Sequence, residues 1–339
     1  MKAIGLYKYL PISNEDSLMD VDVEKPTPHK YDLLVKVKAI SVNPVDVKVR
    51  APKDKEEKEP KILGWDACGI VEEVGPDCRL FKPGDEVYYS GSITRPGTNS
   101  EYHLVDERIV GPKPTTLNYA EAAALPLTSI TAWEGLFDRL EIDINNVNEN
   151  NKKTFLIIGA AGGVGSIAVQ LAKLAGLNII ATASREESKK WVEELGADYI
   201  IDHYQSFLPQ IQKFGFENVD YIFCLNNTDQ HWDSMAKVIV PQGKVCSIVE
   251  NNEPLDLNVF KNKSVTFVWE FMFTRAMYQT KDMIQQHELL TRLSQLIDDG
   301  KIRTTLQKRL SPINAANLRK AHKMVEKGKM IGKVVLESF

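Results

Sequence analysis

The sequence predicts an α/β protein with a β-rich first part and a doubly wound parallel sheet in its middle. Three observations predict this. Strand and helix patterns alternate from residue 154 to about 268. Residues 1 to about 124 carry short strands set off by turn residues. The chain closes on a further strand, Gly332-Lys-Val-Val-Leu336, after helical patterns near 281–299 and 314–327.

In the first part, Met1-Lys-Ala-Ile-Gly-Leu-Tyr-Lys8 starts as a strand, and Leu33 to Ile40 and Gly69 to Gly75 supply two more. Phe81-Lys-Pro-Gly-Asp-Glu-Val-Tyr-Tyr89 is a turn running into a strand. The mixed charges of Lys53-Asp-Lys-Glu-Glu-Lys-Glu59 read as a solvated loop or helix face. Helical composition begins at Tyr119-Ala-Glu-Ala-Ala-Ala-Leu-Pro126 and continues from Ile130 to Leu140. It gives way to a polar linker, Asn145 to Asn151.

The middle part opens on Phe155 to Ile158, a continuous apolar run suited to a parallel strand buried on both faces. Glycines at 159, 162, 163 and 165 follow, then a helix from Ser166 to Leu174 and a second strand, Asn178-Ile-Ile-Ala-Thr-Ala183. Glycines let backbone approach a pyrophosphate, and a helix N-terminus offers unpaired N–H groups at the positive end of its dipole. Ala160 breaks the strict G-x-G-x-x-G spacing, yet the βαβ context marks a dinucleotide site. Gly159, Gly162, Gly163, Val164 and Gly165 are its candidate phosphate cradle. Beyond it, Glu186 to Leu195 reads as helix, Tyr199 to Asp202 and Tyr221 to Leu225 as strands, Trp232 to Val240 as helix and Gly243 to Val249 as strand.

Composition narrows the function. At 339 residues the chain has room for two domains, and 43% hydrophobic content suits a soluble globule. A net charge of −4 gives no footprint for a nucleic acid partner. No window is apolar enough to span a bilayer, and the N-terminus lacks a signal-peptide core. The cysteines at 68, 78, 224 and 246 form no CxxC pair, so buried free thiols in a reducing cytoplasm are expected.

Gly64-Trp-Asp-Ala-Cys-Gly-Ile-Val-Glu-Glu-Val-Gly75, Pro83-Gly-Asp-Glu-Val87, Ala123 to Ala132, the glycine loop and Leu195-Gly-Ala-Asp198 occur in this order along the whole chain. Together they resemble the medium-chain dehydrogenase/reductase superfamily, and within it the zinc-independent quinone oxidoreductase branch. The resemblance implies a GroES-like β-barrel catalytic domain over 1–125, a Rossmann cofactor domain over 126–268, and a return to the catalytic domain over 269–339. It also implies a homodimer paired along an edge of the Rossmann sheet.

Departures from the zinc enzymes are equally informative. Where those enzymes place a cysteine and then Gly-His-Glu, this chain has Asn43-Pro-Val-Asp46 and Gly64-Trp65-Asp66, and the cysteine lobe is missing between Tyr89 and Pro114. An amide and an indole do not replace a thiolate and an imidazole in a tetrahedral zinc site. No metal is expected.

The second strand ends in Ala183-Ser184-Arg185 with Lys189 one turn on, and lacks the terminal acid that binds a ribose 2′-hydroxyl. A hydroxyl and a guanidinium suit a 2′-phosphate, which favours NADPH. The resemblance puts Asn43 beside the nicotinamide or substrate oxygen, where its NH₂ would donate; a structural turn Asn is the alternative. It puts Thr128 near the nicotinamide ribose or phosphates and Tyr204 at the adenosine phosphate. Lys48 stands where the branch usually has a tyrosine and is a candidate in catalysis. Asp46 reads as a backbone anchor. Trp65 is expected as a pocket wall in the lost metal position. The aromatic run Phe267 to Phe273, with Phe271, reads as pocket wall and subunit interface. The implied reaction is hydride transfer from NADPH to a small electrophile, a quinone or α,β-unsaturated carbonyl. NADPH binding with a sensing role and alcohol–carbonyl interconversion are the alternatives.

Overall fold

The computed structural model describes every residue from Met1 to Phe339. Its first unit joins Met1–Ile130 to Phe273–Phe339, and its second is Thr131–Met272.

The first unit begins with β1 (Lys2–Tyr9), β2 (Met19–Asp22), β3 (Asp32–Val42), α1 (Pro44–Arg50), β4 (Lys53–Ile62) and β5 (Asp66–Val74). It continues through β6 (Glu86–Ser90), β7 (Tyr102–Asp106), β8 (Val110–Pro112), α2 (Tyr119–Ala123) and the start of α3 (Pro126–Trp133). The second unit carries α4 (Val147–Asn150), β9 (Thr154–Ile158), α5 (Gly163–Leu174), β10 (Asn178–Thr182), α6 (Glu186–Leu195) and β11 (Tyr199–Ile201). It ends with α7 (Phe207–Gln212), β12 (Val219–Cys224), α8 (Thr228–Val238), β13 (Ile239–Ser247), α9 (Asn258–Lys261) and β14 (Thr266–Trp269). The tail returns through α10 (Thr274–Tyr278), α11 (Gln285–Asp298), β15 (Leu306–Leu310), α12 (Ala315–Glu326) and β16 (Lys333–Glu337).

The tail completes the first unit's main sheet, β15-β16-β3-β5-β6-β8 with β7 also on β3. Two antiparallel registers position the site. Val334 pairs with Val42 across β16 and β3, and Ser41 pairs with Asp66 across β3 and β5. The end of β3 and the starts of β5 and β16 therefore meet at one corner, with Asp66 and Lys333 opening two of these strands and Asn43 directly after the third.

The second unit is one parallel sheet in the order β11-β10-β9-β12-β13-β14. Its strand order reverses between β9 and β12, the switch point at which doubly wound sheets bind ligands. β9 is buried along its whole length. Leu156, Ile158, Ile180, Ile222 and Val245 fill the core with Trp232 and Phe260.

Two local expectations are corrected. Lys53–Glu59 is neither loop nor helix; it belongs to β4, antiparallel to β1, although its side chains are largely exposed. Its charges suit a strand with water on one face, and pairing is supported by Tyr9, which donates to Glu57 at 2.5 Å under the Lys53 ammonium. The polar linker holds a helical turn, α4, because Asn150 turns inward to donate to the carbonyls of Asp143 and Ala175. The tail also contains β15, whose exposed Gln307, Lys308 and Arg309 give no strand-like alternation.

Candidate active site

The glycine loop lies at the carboxyl end of β9. Gly159 has φ +84°, a conformation that favours glycine, and its N–H donates to Thr182 Oγ1 at 2.9 Å. The first bond of α5 runs from Ser166 N–H to the Gly162 carbonyl. The amides of Gly163, Val164 and Gly165 precede it, at the positive end of the helix. A Cβ on Gly165 would fall 2.5 Å from Ala160 Cα, so only glycine lets this helix sit so close to the loop. A Cβ on Gly162 would meet nothing nearer than 3.5 Å, leaving that side of the cradle open. Trp191 Nε1–H donates to Ser166 Oγ at 2.8 Å and ties α6 to α5. The cradle suits a pyrophosphate.

β10 and β11 run parallel, with Thr182 beside Ile201, so the segments after them emerge side by side. Ser184 is half-buried and Arg185 exposed. Arg185 N–H donates to Ser188 Oγ, and that hydroxyl donates back to the Arg185 carbonyl, which holds the residue at the start of α6. Lys189 reaches Glu186 at 2.9 Å in a solvent-exposed pair of the kind that contributes little to stability. Tyr204 is 75% exposed, with its backbone N–H on Asp202.

The first unit holds a buried polar network at the corner where β3, β5 and β16 meet. Asn43 is 0% exposed and donates through Nδ2 to Asp66 Oδ2 at 2.7 Å. Lys333, 4% exposed, donates to Asn43 Oδ1 and lies 3.1 Å from Asp66 Oδ2. The other Asp66 oxygen accepts the Leu127 N–H at 2.7 Å, at the start of α3. Asp46 accepts the Asn43 backbone N–H at 2.6 Å, as an anchor should. Burial pushes its carboxyl up to about 7, although the Asn43 hydrogen bond and Lys333 both pull it down.

This geometry limits what the Asn43 amide has to offer a ligand. Asp66 takes one of its N–H groups, and the side chain has no exposed surface. Asp66 and Lys333 are functional candidates that sequence reading missed. Lys333 carried a faint signal, as a charged residue that is buried at the start of the strand Lys333–Glu337, ahead of the apolar Val334, Val335 and Leu336. Trp65, expected as a pocket wall, is a core ring. It is 2% exposed, donates to the Ser92 carbonyl at 3.2 Å and meets Phe273 edge-to-face. Thr128 is buried, its hydroxyl donating to the Leu125 carbonyl. Lys48 is exposed on α1, and Phe271 is 45% exposed beyond β14.

A second buried acidic group lies within the parallel-sheet unit. Glu134 is 0% exposed and Glu270, just past β14, is 3% exposed; Arg139 holds Glu270 at 2.8 Å. Burial, reinforced by the negative charge of Glu134, pushes the Glu270 carboxyl up to about 9.

The buried network does not fit a zinc ion. Its members are an amide, a carboxylate and an ammonium, and an ammonium has no lone pair to give. No three His, Cys, Asp or Glu side chains are grouped to hold a metal. No helix is long and apolar enough to cross a membrane.

Residues 29–115 match the alcohol dehydrogenase GroES-like domain, and residues 195–336 match the zinc-binding dehydrogenase family. A zinc-type alcohol dehydrogenase-like protein of Staphylococcus aureus is 45% identical over 336 residues, covering 99% of both chains. The structure of a Rhizobium etli protein described as a zinc-dependent alcohol dehydrogenase aligns with TM-score 0.95 and 52% identity, covering 100% of this chain and 98% of that one. The quinone oxidoreductase of Coxiella burnetii aligns with TM-score 0.80 and 25% identity, covering 100% and 99%. With its GroES-like unit, its Rossmann sheet and these relatives, the chain belongs to the medium-chain dehydrogenase/reductase superfamily and is an oxidoreductase of that type.

Proposed function

We propose that the chain is an NADPH-dependent reductase of quinones or α,β-unsaturated carbonyls that works without zinc. The observation that carries this reading is the Lys333 ammonium, set on Asp66 and on Asn43, the residue that stands where the resembled zinc enzymes have a cysteine ligand. A fixed cation there repels a dication and offers it no ligand. Without a Lewis acid, alcohol oxidation loses its usual means of lowering the alcohol pKa. An electron-poor acceptor needs less help, because hydride addition spreads charge onto an oxygen. The similarity to the Coxiella burnetii quinone oxidoreductase supports this acceptor class.

Bound NADPH supplies the hydride. The amides of Gly163, Val164 and Gly165 hold its pyrophosphate, with Gly159 and Gly162 shaping the loop. Ser184 and Arg185 take the 2′-phosphate, Lys189 adds positive charge, and Tyr204 flanks the adenosine. Thr128 meets the nicotinamide ribose. The second N–H of Asn43, the one Asp66 leaves unused, donates to the acceptor oxygen, which requires this fully buried side chain to become accessible when cofactor and acceptor bind. One such donor in a dry, fixed site is worth about 10²–10³ in rate. The proton comes from solvent or a pocket hydroxyl, with exposed Lys48 as the side-chain candidate. Phe271 lines the acceptor pocket, and the β14 edge, with Trp269 46% exposed, pairs two copies into a homodimer.

The test is loss of NADPH absorbance with benzoquinone, an enal and ethanol as alternative partners, on wild type and Asn43→Ala. Turnover of quinone or enal, and a variant whose kcat falls while NADPH affinity holds, is the expected result. Efficient ethanol oxidation with no quinone or enal turnover overturns the reading. Tight NADPH binding without any turnover points instead to a binding or sensing protein.

A further inference from the structure

We propose that Lys333 is a positioning residue of this site, an internal cation that fixes the orientation of the Asn43 amide and holds Asp66 against the start of α3. The inference rests on the proposed role of Asn43.

An ammonium can only donate and a carboxylate can only accept. Asn43 lies between one of each, so its amide has a single satisfied orientation, Oδ1 on Lys333 and Nδ2 on Asp66. That orientation leaves exactly one N–H of the amide for a ligand. Without Lys333, the Oδ1 side loses its charged partner and Asp66 alone is left to discriminate between the two orientations of the amide. The rest of the network is equally committed. Lys333 also donates to the Val42 carbonyl at 3.4 Å, Asp66 Oδ1 takes the Leu127 N–H, and the Asp66 carbonyl accepts the Thr98 hydroxyl at 3.2 Å. One carboxylate thus links the end of β3, the start of β16 and the residue before Thr128.

Stability is a weak reason to keep such a pair. Replacing a buried ion pair with apolar residues of similar volume is often neutral or stabilising. What the pair supplies, and apolar residues cannot, is direction. The charged groups in the cluster are Lys333, Asp66 and Asp46, so the lysine is the one cation among two carboxyl groups.

The test uses Lys333→Met, Lys333→Arg and the neutral pair Asp66→Asn/Lys333→Met, the last in case an unpaired Asp66 prevents folding. Steady-state reduction of benzoquinone by NADPH is measured with the ¹H–¹⁵N resonances of the Asn43 side-chain amide, identified by their loss in Asn43→Ser. In the folded Met variants kcat falls roughly tenfold or more, within the range for a fixed donor. KM for NADPH stays unchanged, the amide resonances move, and Lys333→Arg recovers most of the loss. A folded Met variant with wild-type kcat, or with unmoved amide resonances, overturns the proposal. If wild type turns over neither quinone nor enal, it is the proposed function that fails. Lys333 is then judged on the amide resonances alone: displaced supports positioning, unmoved overturns it.

Discussion

Lys333 and Asp66 face each other across 3.1 Å with 4% and 0% of their side chains exposed. Asp66 serves three donors there, the Lys333 ammonium, the Asn43 amide and the Leu127 N–H. Asp66→Ala strands a buried charge and should cost about 3–5 kcal/mol. Denaturant unfolding measures it, and a loss below about 1 kcal/mol, the worth of an exposed pair, would contradict a buried hub.

Arg185 is an exposed residue at the start of α6, and no acid ends β10. Arg185→Ala should weaken NADPH by about tenfold and leave NADH unchanged, the scale of one charge-assisted contact. Calorimetric titration with both cofactors decides the point, since equal losses for the two would place Arg185 away from the 2′-phosphate.

Gly165 has backbone, not a flexible side chain, where its Cβ would go. Gly165→Ala should therefore push α5 off the loop and weaken dinucleotide binding at least tenfold, a loss of about 1.4 kcal/mol or more. Binding measured beside the thermal midpoint separates a displaced cradle from general unfolding. Wild-type affinity would show that the loop absorbs the methyl group.

Glu270 holds its proton up to about 9 in the folded protein against an ordinary value of 4.5. Between these values the folded state binds more protons than the unfolded one, so stability falls as pH rises. The contribution is complete below 4.5 and gone above about 9. Glu270→Gln, which mimics the protonated acid, should match wild type at the acid end and melt at a higher temperature at the alkaline end. Parallel melting curves across this range would show that the carboxyl titrates normally.

Zinc addition should leave quinone reduction unchanged, and chelator treatment should not abolish it. Metal analysis on purified protein checks the premise. A stoichiometric ion whose removal stops turnover would reverse the reading of Asn43, Trp65 and Lys333.

The sequence by itself determined the α/β class, the glycine loop and most of the elements, because these depend on local periodicity and local backbone freedom. Phe155 to Ile158, followed by the glycine loop, reads as a strand buried on both faces, and Gly165 sits five residues from the Ala160 it must not touch. That an amide and an indole, Asn43 and Trp65, stand where the resembled zinc enzymes place ligands was legible too, since residue types are read directly. Tertiary structure alone decided what Asn43 meets. Asp66 and Lys333 are 267 residues apart, and only the registers of β3 with β5 and with β16 bring them together. In a separate sheet, pairing with β1 made the charged run at 53–59 a strand, and Trp65 is buried against Phe273. Side-chain pattern specifies which face of an element is apolar, but the partner a buried polar group finds is set by strand register, which no local window contains.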